Sequence, residues 1–178
     1  MEIKQLVVGV FLTNCYLLIS KGEMGIIDPG GNEQKILQEI KKTKALPKYI
    51  INTHYHFDHS SANKIIKKET GAQILIHQDE KKFINFQPDK FLKEGDEIKI
   101  GKVLLKVIQT SGHSQGSICL LNKDFIFTGD TLFKDGYGRI DLPGGSAEKM
   151  NESLDRLKKF FKAGMTIFPG HGEIFKVI

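Results

Sequence analysis

Hydrophobic positions along this chain switch repeatedly between alternation and helical spacing. Alternating or continuous apolar runs predict strands, and apolar residues that recur at helical spacing predict amphipathic helices. The predicted strands are 2–10, 14–20, 24–28, 49–53, 73–76, 97–100, 103–110, 117–122, 124–128 and 165–168. The predicted helices are 32–44, 59–69 and 147–162. Since no low-complexity linker interrupts this pattern, we expect one mixed α and β domain spanning residues 1–178.

The segment from Thr53 to Ser60 reads Thr-His-Tyr-His-Phe-Asp-His-Ser, although the chain has only six histidines. It contains His54, His56, Asp58 and His59. Neutral imidazole and carboxylate are ligands that Zn²⁺, Mn²⁺ and Fe²⁺ accept. A single tetrahedral ion could hardly use all four side chains, so the spacing predicts a loop that faces two metal positions.

Four predicted strands end in a residue that can bind metal. These residues are His54, His113, Asp130 and His171. Sheet proteins place ligands at strand ends, so we expect the four side chains to converge. A glycine directly precedes the last three, which permits a sharp turn that aims the side chain over the sheet. With the first cluster they supply seven candidate metal ligands.

Four short motifs carry a family resemblance. They are Thr53–His59, Ser111-Gly112-His113, Gly129-Asp130 and Pro169-Gly170-His171. Through them the chain resembles the metallo-beta-lactamase superfamily over nearly its whole length. The resemblance implies an α+β fold, a four-layer αββα sandwich of two similar halves, with a dinuclear metal centre at one edge of the two sheets. It further implies that one metal is bound by His54, His56 and His113, the other by Asp58, His59 and His171, and that Asp130 bridges them.

Within this superfamily the chain is most similar to glyoxalase II-like hydrolases, through the segment 127–133 and Gly138-Arg139. Metallo-beta-lactamases proper commonly carry cysteine where this chain has Asp130, and flavodiiron proteins carry glutamate where it has His56. RNase Z-type nucleases have an added arm for tRNA that this sequence lacks. The sequence ends seven residues after His171, so we expect a short form without the C-terminal helical domain that completes the glutathione pocket.

The resemblance implies hydrolysis of a thioester, as in hydroxyacylglutathione hydrolases. Two divalent ions would provide a bridging hydroxide, and Asp58 would both bind metal and orient the water or accept its proton. A thiol has a pKa of about 8.5, so a thiolate leaves with little help from an acid. Zinc is the expected metal, and iron or manganese accept the same ligands.

Three residues are candidates for substrate binding. The resemblance implies that Arg139 contacts the glutathione part of the substrate, while a salt bridge that anchors its loop is the alternative. Tyr137 and Lys134 are further candidates for the same role. His77 ends an apolar run and matches no ligand position, which indicates a structural role.

Two other functions remain open at this point. A persulfide dioxygenase would bind one Fe²⁺ through His54, His113 and Asp130, a facial triad. A metal-binding or nucleic-acid-binding module without catalytic activity is a third hypothesis, which the net charge of +5 and the pI of about 9.1 invite.

The composition argues against a nucleic acid partner. All but Arg139 and Arg156 of the 26 basic residues are lysines, whereas base and phosphate recognition commonly uses the arginine fork. No stretch has the length and apolarity of a membrane span or a signal peptide. We therefore expect a cytoplasmic protein that acts on a small molecule and binds neither nucleic acid nor membrane.

Overall fold

Twelve strands form two sheets of six in the computed structural model, which describes residues 1–178. The first sheet contains β1 (Glu2–Val8), β2 (Thr13–Ser20), β3 (Glu23–Ile27), β4 (Leu46–Ile51), β5 (Gln73–His77) and β6 (Lys90–Leu92). The second contains β7 (Glu97–Ile100), β8 (Val103–Gln109), β9 (Ile118–Leu121), β10 (Phe125–Gly129), β11 (Thr166–Pro169) and β12 (Phe175–Lys176). Each sheet thus comes from one half of the chain.

Both sheets are mixed. In the first, β1, β2 and β3 are antiparallel, and β3 to β6 are parallel. In the second, β7 to β10 are antiparallel, β10 and β11 are parallel, and β12 returns antiparallel to β11. The parallel strands require crossover connections, and these supply the helices. The four helices are α1 (Glu33–Thr43), α2 (Phe57–Ser60), α3 (Asn63–Thr70) and α4 (Ala147–Lys158).

Three apolar clusters define four layers. The largest, of 15 buried residues, lies between the sheets and includes Tyr16 and Leu75 from the first sheet and Val107 and Phe127 from the second. A second cluster packs α1 and α3 on the outer face of the first sheet. A third packs Leu157 of α4 on the outer face of the second sheet. The predicted αββα sandwich of two similar halves is therefore confirmed.

The helix predicted over 59–69 is two helices, α2 and α3. Ser61 and Ala62 separate them, and the Ala62 amide donates to the carbonyl of Pro29 at 3.0 Å. This tertiary hydrogen bond leaves no trace in the apolar pattern. The helix predicted over 147–162 ends at Lys158, because Phe160 and Phe161 leave the helix to pack on the third cluster.

The ends of several strands meet at one edge of the sandwich. The loops after β3 and β4 of the first sheet lie beside the loops after β8, β10 and β11 of the second. Backbone hydrogen bonds join the sheets here, from Ile118 N to Thr53 O at 2.9 Å and from Asn14 N to Gly170 O at 2.7 Å. None of the helices is both long and apolar enough to cross a lipid bilayer.

Candidate metal centre

The seven candidate ligands lie together at this edge. Two groups of three side chains can be defined, within each of which the ligand atoms lie no more than 4.8 Å apart. The first group is His54, His56 and His113, and the second group is Asp58, His59 and His171. Asp130 forms a third cluster with His54 and His59, and this cluster spans the first and second groups. The loops predicted from the strand ends do converge.

The first group consists of three neutral imidazoles. The ring centroids lie 4.5 to 4.7 Å apart. Burial lowers the pKa of His54 well below its usual value, and burial together with His113 lowers that of His56 to about 4. Burial also lowers the pKa of His113, against the pull of Asp130. All three rings are therefore in the form that binds metal near neutral pH.

Outer hydrogen bonds orient two rings of the first group. His113 Nδ1 donates to the backbone carbonyl of Arg139 at 2.6 Å. Thr53 Oγ1 donates to Asp28 at 2.7 Å, so it accepts from His54 Nδ1 at 3.0 Å. Because each Nδ1 is engaged as a donor, each Nε2 presents a lone pair to the centre.

The second group is held by opposite charges. Asp58 Oδ2 lies 3.2 Å from His171 Nε2 and 3.4 Å from His59 Nε2. Burial opposes the charge on His59, but Asp130 and Asp28 outweigh it and raise its pKa to about 9. Burial likewise opposes ionisation of Asp58, but His171 and His59 hold its pKa well below the usual range.

Asp130 lies between the two groups. Its Oδ1 is 3.4 Å from His59 Nε2, and its Oδ2 is 3.4 Å from His113 Nε2. The carboxylate is nearly buried, and Oδ1 has no hydrogen-bond partner. One carboxylate therefore presents an oxygen to each group, which is the arrangement of a bridging ligand.

The glycines of the strand-end loops are required for two different reasons. Gly112 and Gly129 have φ of 148° and 49°, so they form the sharp turns predicted for them. Gly170 instead lies close to the site, because a Cβ there would be 2.2 Å from Asp130 Oδ1. A side chain at this position would displace the shared carboxylate.

Asp28 is a functional residue that sequence reasoning missed. It follows β3, is buried, and has φ of 50°. Its Oδ2 lies 3.0 Å from His59 Nδ1, and its Oδ1 accepts from the Thr53 amide at 2.8 Å. A carboxylate behind a ligand histidine fixes the ring orientation and raises its basicity. The strand-end rule that identified Asp130 applies to Asp28 as well.

The donor set suits a divalent metal. Buried polar atoms without a partner are rare in folded proteins because each costs free energy. Here the Nε2 atoms of His54, His56 and His113 and the Oδ1 of Asp130 are all buried without one. Imidazole and carboxylate donors are those that Zn²⁺, Fe²⁺ and Mn²⁺ accept. Five of the six histidines belong to this site, and His77 lies outside it.

A cavity of about 500 Å³ opens over the centre. Its walls include two of the three predicted substrate residues, Arg139 and Tyr137, and apolar side chains of Phe11, Phe57 and Leu142. Arg139 also forms a two-point ion pair with Asp141 at 2.9 and 2.8 Å, so the anchoring salt bridge is present. Lys134 lies in a neighbouring depression and pairs with Glu173 at 2.5 Å.

Comparison with known sequences places these features in a family. The sequence profile of the metallo-beta-lactamase superfamily matches residues 8–171. A probable metallo-hydrolase, YqgX of Bacillus subtilis, is 34% identical over 97% of this chain and 90% of its own. The hydroxyacylglutathione hydrolase GloC of Haemophilus influenzae is 30% identical over 97% of this chain and 92% of its own.

Solved structures share the fold. The BLEG-1 B3 metallo-beta-lactamase has a TM-score of 0.92 at 26% identity, over 98% of this chain and 94% of that one. ETHE1 from Myxococcus xanthus has a TM-score of 0.89 at 26% identity, over 99% and 80%. TTHA1623 in a di-iron-bound form has a TM-score of 0.88 at 26% identity, over 97% and 94%.

Proposed function

The chain belongs to the metallo-beta-lactamase superfamily, and from that premise we propose that it is a metal-dependent hydrolase of thioesters with a dinuclear centre. The observation that carries the proposal is the position of Asp130, which presents one oxygen to His59 and the other to His113. A mononuclear site would not require a carboxylate shared in this way. The similar structure of TTHA1623, solved in a di-iron-bound form, supports two metal ions per chain.

In this proposal the first group holds one ion, the second group holds the other, and Asp130 bridges them. Bound divalent ions supply a water deprotonated near neutral pH and polarise a substrate carbonyl. Zinc is the proposed metal, and iron or manganese suit the same donors. All three metals carry the positive charge that polarises a carbonyl.

Asp58 has a further role in the proposal. Its Oδ2 faces His59 and His171 and accepts a hydrogen bond from Thr13 Oγ1 at 3.0 Å. This leaves Oδ1 to accept a hydrogen bond from the attacking water. Since the pKa of Asp58 is held well below its usual range, the carboxylate orients the water more readily than it stores a proton.

The cavity favours a leaving group that needs no acid. Asp58 and Asp130 are the only carboxyl groups in its walls, and both belong to the candidate ligand set. A thiolate leaves without protonation, whereas an amide nitrogen does not. The likeness to the hydroxyacylglutathione hydrolase GloC supports a thioester substrate. Arg139 and Tyr137 line the cavity and are proposed to contact the substrate, with Lys134 beside them.

The test is a thioester panel on metal-loaded protein, with S-D-lactoylglutathione, acyl thioesters and a chromogenic β-lactam. We expect thioester hydrolysis and two ions per chain. His59→Asn should lower kcat/KM at least about 100-fold, since it removes a proposed ligand. His77→Asn is the matched control, because His77 is equally buried and lies outside the site. Absence of thioester hydrolysis in the loaded wild type would refute the proposal.

A persulfide dioxygenase is the second candidate, favoured by the likeness to ETHE1. It would use His54, His113 and Asp130 around one Fe²⁺. His113 Nε2 and Asp130 Oδ2 lie 3.4 Å apart, as a shared ion requires. Oxygen uptake with glutathione persulfide and one iron per chain would establish this function in place of the first.

A further inference from the structure

A buried carboxyl group outside the candidate ligand set lies between the loops that carry the first group. Glu80 ends a short 3-10 turn (Gln78–Glu80) directly after β5. Its side chain is fully buried, and its Oε2 has no hydrogen-bond partner. A buried glutamate is unusual unless it is paired or hydrogen-bonded, so its contacts indicate what it does.

The Glu80 carboxyl group holds the loop that carries His113. Its Oε1 accepts hydrogen bonds from Ser114 Oγ at 2.5 Å and from Gly116 N at 2.6 Å. Ser114 directly follows His113 in the chain. Gly116 approaches so closely that a Cβ there would lie 2.8 Å from the Glu80 side chain. The loop is thus fixed on the carboxyl group at two points.

The same turn also contacts the loop that carries His54 and His56. Tyr55 lies between these histidines, and its nearby backbone amide acts to lower the pKa of Glu80. The Tyr55 ring stacks on Phe83 with centroids 4.7 Å apart. Phe83 N donates to the Glu80 carbonyl at 2.9 Å. The turn therefore contacts both loops of the first group.

We propose that Glu80 is a positioning residue that holds His54, His56 and His113 in their metal-binding arrangement. The inference rests on the proposed function, which assigns these histidines to one ion. Three neutral imidazoles have no charge to attract one another, so their arrangement must come from the surrounding structure. Outer contacts of this kind commonly determine how tightly a ligand set binds its metal.

The protonation of Glu80 indicates which substitution preserves the role. Burial raises the pKa of Glu80 to about 7, against the hydrogen bonds from Ser114 and Gly116. Near pH 7 the carboxyl group is therefore about half protonated, and glutamine matches its uncharged form in shape and in the Oε1 acceptor. Glu80→Leu keeps much of the volume but removes the Oε1 acceptor of the Ser114 hydroxyl and the Gly116 amide.

The experiment is a Co²⁺ titration of the metal-free full chain, followed by visible absorption and by competition with a chelator. His56→Asn and His171→Asn assign the two binding steps to the first and second groups. Glu80→Leu should weaken the first-group step about 10–100-fold, with the second-group step and Glu80→Gln within about threefold of wild type. Ser114→Ala should give a smaller loss in the same step.

Ile40→Ala is the matched control, since it weakens a buried helix contact away from the site. A general loss of stability would weaken both steps in both variants. Equal first-group affinity in wild type and Glu80→Leu would overturn the positioning role and leave the proposed function intact. If Glu80→Leu does not fold, the Ser114→Ala and Glu80→Gln titrations decide. A wild type that binds no Co²⁺ would refute the proposed function itself.

Discussion

The first and second groups lie side by side but are stabilised by different physical means. The first has three imidazoles whose pKa values are lowered, mainly by burial. The second pairs Asp58 with His59 and His171, whose pKa values are raised by carboxylates. Without metal the second group is stabilised by its own charges, whereas the first depends on the surrounding loops. The carboxylate of Asp130 joins the two.

The largest predicted effect comes from removing this shared carboxylate. Asp130→Asn keeps the size of the side chain but removes its charge, so we expect one fewer bound ion and kcat/KM at least about 100-fold lower. Metal analysis measures the number of bound ions, and a thioester hydrolysis assay measures kcat/KM. The exposed Asp124→Asn is the control. Two ions and undiminished activity in Asp130→Asn would show that the groups do not depend on a bridge.

Removing the charge of Asp28 should have a smaller effect, and it should lower the metal affinity of the second group more than that of the first. Asp28 Oδ2 lies beside His59 Nδ1, and its charge favours the ring form that leaves Nε2 for metal. Asp28→Asn should therefore weaken the second-group step about 10–100-fold. Its amide oxygen can still accept from Thr53 N, so the first-group step should change less. The Co²⁺ titration measures both steps, and equal weakening of the two would contradict this division.

The stability of the metal-free protein should depend on pH in opposite ways through the first and the second group. His56 has a pKa lowered from 6.5 to about 4, so the unfolded chain binds the proton more readily and stability falls as the pH drops through that range. His59 has a pKa raised from 6.5 to about 9, so the stability that it contributes is present below 6.5 and lost as the pH rises towards 9.

Denaturant unfolding of metal-free variants checks these signs. His56→Asn should flatten the acid side of the stability curve, and His59→Asn should flatten the alkaline side, each by at most about 1.4 kcal/mol per pH unit. Glu80 has a pKa raised from 4.5 to about 7 and so contributes the opposite slope on the acid side. Comparing each variant with wild type removes this contribution. If His56→Asn instead flattened the alkaline side and His59→Asn the acid side, the proposed difference between the two groups would be wrong.

The smallest predicted effect concerns a single hydrogen bond to the second group. Thr13→Val removes the hydroxyl that donates to Asp58 Oδ2 at 3.0 Å. A hydrogen bond to a charged group contributes about 1.5–3 kcal/mol at most, and bound metal would replace part of it. We expect the second-group affinity to fall less than in Asp28→Asn. A larger loss would mean that Thr13 does more than donate this bond.

Much of the fold could be predicted because the strands are long enough to show an apolar pattern. β6 and β12 were missed, since they have only three and two residues. The break between α2 and α3 was missed because it depends on the hydrogen bond from Ala62 to Pro29. Local patterns carry no signal from such distant partners.

The candidate site could likewise be predicted only in part. His54, His113, Asp130 and His171 follow strands, so the sequence located them, although their roles as metal ligands stay predictions. Asp28 follows a strand too, but no histidine or motif drew attention to it. Glu80 lay beyond prediction, because its partners Ser114 and Gly116 are 34 and 36 residues away in the chain.

The central claim is that two unlike groups form one dinuclear centre. Calorimetric titration with Zn²⁺ near neutral pH, in two buffers of different ionisation enthalpy, counts the ions bound and the protons released with each. We predict two ions per chain, with almost no proton released by the first group and about one or more released by the second, because the pKa of His59 is about 9. A single ion, or equal proton release from both steps, would contradict the account.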